Sequence, residues 1–185
     1  MTSNPGPDGG RDPSGSDAAA LVQRAATAAA AELAAAGARQ EVLAEYTAER
    51  RLLGIPRAAR MTPTARVWRL GVLLIAEDGG LHAAGRVVRA ERPARRSVLA
   101  ESVAEHRALR AAAVKGGIPE GETVDFDTRP VDLGALAEHG ASGPLVVRDG
   151  EVLVRWSPAQ PDALAPFERY LAERVELLAH PPERA

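Results

Sequence analysis

Few of the residues able to carry chemistry in this chain fall into a working pattern. Its 185 residues include four histidines and no cysteine, so disulfides, thiolate zinc sites and cysteine nucleophiles are excluded. His82, His106, His139 and His180 show no metal-ligand spacing. Glu105 and His106 are adjacent in SVAEHRALRAAAVKGG, and with His82 they are the catalytic candidates. The plainer alternative makes His106 a hydrogen-bonded core residue and Glu105 a solvated helix residue. Asp125 and Asp127, two apart in GETVDFDT, would share one face of a strand and could share a cation. A hard metal needs several more oxygens, and the glycine-containing calcium loop is missing. Lys115 is the only lysine and precedes Gly116-Gly117 instead of following a glycine loop, so no phosphate loop is present. The segment GASG at 140–143 has Pro144 where a nucleophile elbow needs its second glycine. No cofactor is expected.

The elements that would position these residues centre on Thr64–Ala90, read as two strands folded over Asp78-Gly79-Gly80, with glycines free to take the positive φ of a tight turn. In the first strand Trp68, Leu70, Val72, Leu74 and Ala76 share one face, and Val67, Leu73 and Ile75 add bulk to the other. A strand apolar on both faces is central and covered on each side. Asp17 caps a helix to about Ala36, alanine-rich and therefore weakly docked. A second helix is predicted over about 39–53 and a third over 97–115, with Val98, Leu99, Val103, Leu109 and Ala113 on one arc and His106 at its middle. A strand at 121–128, a short helix at 132–138 and a hairpin over Asp149-Gly150 follow. That hairpin directs Leu145, Val147, Val152, Val154 and Trp156 to the core. Ser157 or Asp162 caps a last helix with Leu164, Phe167, Leu171, Val175 and Leu178 as its stripe.

The expected fold is α/β, a mixed five-stranded sheet of two hairpins plus one strand with helices on both faces. From about Gln40 to Tyr170 this element order resembles the cytidine-deaminase-like layout. In that family the helix after the hairpin opens with Cys-Ala-Glu or His-Ala-Glu, the first residue binding zinc and the glutamate moving protons. Ala104 and Glu105 match, Val103 stands at the ligand position, and the Pro-Cys-x-x-Cys helix is absent. The resemblance implies the scaffold without the zinc chemistry. RVWRLGVLLI, GGIPEGETVDFDT and PLVVRDGEVLVRWSP are similar to a group of uncharacterised actinobacterial proteins that carry a glutaminase label. Serine-dependent glutaminases use Ser-x-x-Lys, and here Ala112 stands three residues before Lys115.

Composition suits one domain at 17–180, with a disordered leader at 1–16 rich in Pro, Gly and Ser, and a tail at 181–185. The leader lacks the apolar run of a secretory signal and no segment is a membrane span, so a cytoplasmic protein is expected. Charge is uneven. Arg51–Arg96 holds ten arginines against three acids, and the chain from Gly117 onward holds thirteen acids against six arginines. The segments complement one another across the fold in one reading, and in the other the arginines contact phosphates. The first makes nucleic acid an unlikely partner. These observations lead us to expect a non-catalytic domain that binds a ligand or protein, or associates with its own copies. A hydrolase of the amidohydrolase, glutaminase or deaminase type and a nucleic-acid-binding module are the alternatives.

Overall fold

Glu41–Thr47 is a strand, β1, where helical spacing had predicted a helix over 39–53. Val42, Ala44 and Tyr46 alternate along it, and its β-branched and aromatic residues fit a pleated surface better than a helix. The computed structural model describes residues 15–52, 55–92, 101–157, 159–160 and 162–182. Helix α1 (Gly15–Ala35) precedes β1. After it come β2 (Arg50–Leu52), β3 (Ile55–Arg57), β4 (Arg60–Leu70), β5 (Leu73–Ala76), β6 (Leu81–Ala83), β7 (Arg86–Arg89) and α2 (Glu101–Lys115). The chain continues through β8 (Thr123–Phe126), β9 (Arg129–Pro130), α3 (Leu133–His139), β10 (Ala141–Ser142), β11 (Leu145–Arg148), β12 (Glu151–Arg155), β13 (Leu164–Pro166) and α4 (Phe167–Ala179). The expected leader falls almost wholly outside the described residues, as do Val98 and Leu99.

The protein is α/β with a mixed sheet, but that sheet has seven strands and not five, in the order β7-β8-β1-β4-β5-β6-β9. The strand expected to run unbroken to Ala76 is interrupted at Gly71. There a two-residue turn pairs Leu70 with Leu73, and Gly71 has a φ of 69°, a conformation open to glycine at little cost. Strand β8 lies parallel to β1, with Val42 opposite Val124, and antiparallel to β7.

The two edges of this sheet belong to the same pair of strands. Ala83 pairs with Arg129 on β6·β9, and Arg86 pairs with Phe126 on β7·β8. Three residues forward on one strand are three back on the other, so both pairings are one antiparallel ladder interrupted at 84–85 and 127–128. The sheet therefore closes on itself as a barrel along this ladder. Gly85 lies at the join. A Cβ there would stand 2.3 Å from the Phe126 carbonyl oxygen, so the backbones meet too closely for a side chain.

Closure corrects the expectation of helices on both faces. Register places Val42, Trp68, Leu70, Leu73, Ile75 and Val124 on the outer face, where α1, α2 and α4 pack. The inner face holds the small cluster of Leu43, Val67 and Leu74, with no helical residue among the described members. Helix α1, expected to dock weakly, buries Ala18, Val22, Ala26, Ala29, Ala30 and Leu33. Its small residues give little area but allow close approach, closest at Gly15, where even an alanine Cβ would meet the Ala137 carbonyl.

The second hairpin has the expected register, with Arg148 opposite Glu151. It does not join the barrel: β10-β11-β12-β13 form a separate sheet. The expected single sheet holding both hairpins is thus not the observed arrangement. Leu145, Val152 and Val154 are buried as predicted, whereas Trp156 is 47% exposed because the strand ends at Arg155. Neither Ser157 nor Asp162 caps α4. Pro166 occupies the N-cap position with no side-chain cap bond, since residues 164–166 form β13 instead of the first helical turn.

Candidate functional site at the barrel mouth

The inner face of the barrel carries a charged group between apolar neighbours. Arg69 on β4 points inward because Trp68 and Leu70 beside it pack outward, and its strand partner Leu74 is part of the inner cluster. The Arg69 Nε donates to Glu41 Oε2 at 3.2 Å, and its Nη2 donates to Asp125 Oδ1. Asp125 is fully buried, set on β8 between Val124 and Phe126, whose side chains face α2. Its second oxygen, Oδ2, accepts no hydrogen bond among the described residues.

Burial pushes the Asp125 carboxyl up to about 7; hydrogen bonding with Glu41 adds to the rise and the Arg69 guanidinium opposes it. A proton on Asp125 turns an acceptor-only group into a donor, which Glu41 is placed to accept. The trio therefore changes net charge from zero to minus one as Asp125 ionises.

Arg69 connects this interior to solvent. It lines a cleft of about 390 Å3 at the barrel mouth, with Gly71 of the β4–β5 turn, Ala84 and Gly85 of the join, and Gly143 and Arg155 from the second sheet. Tyr170 of α4 steadies the rim. Its hydroxyl donates to the Leu70 carbonyl and accepts from the Val72 amide, both at 3.1 Å. A Cβ on Gly71 would stand 2.2 Å from that hydroxyl, so the rim requires glycine there sterically as well as conformationally. Another hollow, of about 350 Å3, is walled by Asp17, Asp149, Glu151, Glu168 and Arg24, and neither unpartnered buried side-chain atom among the described residues belongs to its walls.

The residues singled out from sequence do not converge. Glu105 is exposed and pairs with Arg86 at 3.0 Å. His106 is exposed, not in a buried arc. It lies one turn before buried Leu109, but among the described side chains of α2 only Leu109, Ala112 and Ala113 are buried. His82 is on the inner face opposite Leu74, with Nδ1 buried and unpartnered. Its pKa is lowered by burial, with Asp78 pulling the other way. Asp125 and Asp127 are not a facing pair. The strand stops at Phe126, Asp127 turns at a φ of 54°, and its carboxylate faces Arg86 at 3.9 Å. Among the described residues no group of three or more His, Asp or Glu is placed to hold a metal.

Sequence reasoning missed Arg69 and Glu41. One signal was available: Arg69 is a charged residue between apolar Trp68 and Leu70 in RVWRLGVLLI, where an inward charge in a buried strand needs a partner. Its partner Asp125 is 56 residues away, so only the closed barrel brings them together. Comparison with protein-family models, curated proteins and solved structures finds no match for this chain. Among the described residues no helix is long and apolar enough to cross a membrane.

Proposed function

We propose that the protein is a non-catalytic binding domain that holds a small ligand in the barrel-mouth cleft. Arg69 is the observation that carries this reading. Two carboxyl groups fix its guanidinium from inside the barrel while the same residue lines a cleft large enough for a small metabolite. A preorganised arginine loses little freedom on binding, which favours recognition. The separation of Glu105, His106 and His82 supports binding over catalysis, because acid–base chemistry needs groups within hydrogen-bonding reach of one reacting atom.

A library of small metabolites screened by thermal shift, with hits titrated calorimetrically, tests the reading. A ligand bound one to one by the wild type and lost from folded Ala84→Phe and Pro144→Phe variants supports it. Equal binding by both variants overturns it.

The raised pKa of Asp125 favours one second reading, an amide hydrolase using it as general base. Against it, Asp125 is fully buried and one oxygen is held by Arg69. Ammonia release from glutamine above the buffer blank, abolished by Asp125→Asn, would favour the hydrolase. The nucleic-acid reading is weakened by pairing of the arginines with later acids: Arg66 with Glu122, Arg69 with Asp125, Arg86 with Asp127 and Arg92 with Glu120.

A further inference from the structure

If the cleft is a ligand site, the donors of Arg69 define what it takes. A guanidinium has five N–H groups. Nε is committed to Glu41 and one Nη2 hydrogen to Asp125, while Nη1 donates to no protein acceptor among the described residues. The side chain is part-buried and Arg69 lines the cleft, so the guanidinium is held within the fold instead of trailing in bulk water. An unused, fixed pair of N–H groups on a planar cation matches the two oxygens of a carboxylate.

Glu41 and Asp125 behind the guanidinium set a condition on such an anion. With both ionised, the trio is net negative and repels it. With a proton on Asp125 the trio is neutral and the arginine is available. Among the described residues, Asp125 is faced by Glu41 and uncharged Leu43 from β1, Arg69 from β4, and uncharged Val87 opposite it on β7. Its unpartnered Oδ2 is the atom on which a proton would create a donor.

We propose that the cleft receives the carboxylate of a small organic acid on the Nη1 edge of Arg69, and that Asp125 holds a proton while it is bound. Glu41 stays on Nε, and solvent supplies the proton when binding occurs with Asp125 ionised. The inference rests on the cleft being a ligand site, and it adds the ligand's charge and the linkage to protons.

Benzoate and its neutral isostere benzamide are the probes, titrated calorimetrically into the full chain at several pH values. Benzoate is expected to bind at least about tenfold tighter than benzamide at about pH 6, from the charge-assisted bonds it alone makes. Its affinity should fall about tenfold between about pH 6 and pH 8 as Asp125 ionises. Asp125→Asn should bind benzoate with little pH dependence, and Arg69→Lys, which keeps charge but loses the planar edge, should bind it more weakly. Amide spectra establish that each variant is folded. Benzamide binding as tightly as benzoate would overturn the carboxylate inference while leaving the cleft as a ligand site. A pH-independent wild type, or no benzoate binding at millimolar concentration, would also overturn it; the metabolite screen tests the cleft separately.

Discussion

Arg69 on β4 is held by the buried carboxyl of Asp125 on β8, two strands away across the inner face of the barrel. Burying an ion pair seldom adds stability, because desolvation offsets the attraction, but removing one partner is costly. The contact is better understood as fixing the direction of the guanidinium of a residue that lines the cleft.

Stability should depend on pH through Asp125. Its folded pKa, about 7, lies above the ordinary carboxylate value of 3.8, so between the two the folded state holds a proton that the unfolded chain has released. This group's contribution therefore favours the fold below the unfolded value, falls as pH rises through the interval, and is flat above the folded pKa. Urea midpoints should decline from about pH 5 to about pH 8 in the wild type and less in Asp125→Asn. A wild-type midpoint that rose over this range in step with the variant's would contradict the assignment.

The rim of the cleft makes a second prediction. Tyr170→Phe removes both hydrogen bonds at the β4–β5 turn and should cost about 1–3 kcal/mol, the penalty of leaving a buried polar group unpaired. Gly71→Ala must relieve a 2.2 Å approach to the same hydroxyl and adopt a φ of 69°. It should cost more than about 1 kcal/mol, and the double variant should relieve the clash but not the backbone strain. Chemical denaturation of the three variants measures both effects.

The barrel interior is tested by size. Leu74 is fully buried in the inner cluster, and Leu74→Ala should cost about 2–5 kcal/mol through the cavity it leaves. Arg148, exposed at the β11–β12 turn, should cost under about 1 kcal/mol on the same change. Similar unfolding midpoints for the two variants would mean that the inner face is not packed as described.

Labelled RNA and duplex DNA should bind weakly and without the salt dependence of a phosphate-binding surface. A protein neutralising several phosphates shows a logarithmic salt slope of about -0.9 for each on duplex DNA. Arg66, Arg69, Arg86 and Arg92 instead face acids of this chain. Micromolar affinity with a slope of several phosphates, measured by fluorescence anisotropy, would reverse this conclusion.

Local chemistry was legible in the sequence and closure was not. The Asp149-Gly150 hairpin and its register follow from adjacent residues, and the helix at 133–139 follows from Asp132, whose side chain caps it through the Ala135 amide. Strand β1 was misread because Val42, Leu43 and Tyr46 fit a helical arc over so short a run, and only pairing on both sides decides its conformation. Barrel closure depends on β6·β9 and β7·β8 sharing one register across distant segments, which no local pattern encodes. Asp125 reads as a strand acid, but its partner arrives by that closure, so local spacing pairs it instead with the neighbouring Asp127.

The central claim, that a carboxylate ligand seats at the barrel mouth against Arg69, is tested most directly by amide chemical-shift mapping of the isotopically labelled protein with benzoate. The account predicts the largest shifts at Gly71, Val72, Ala84 and Gly85, all cleft residues, and their loss in folded Arg69→Lys. Shifts confined to the acidic hollow around Asp17, Asp149 and Glu168, or none anywhere, would contradict it.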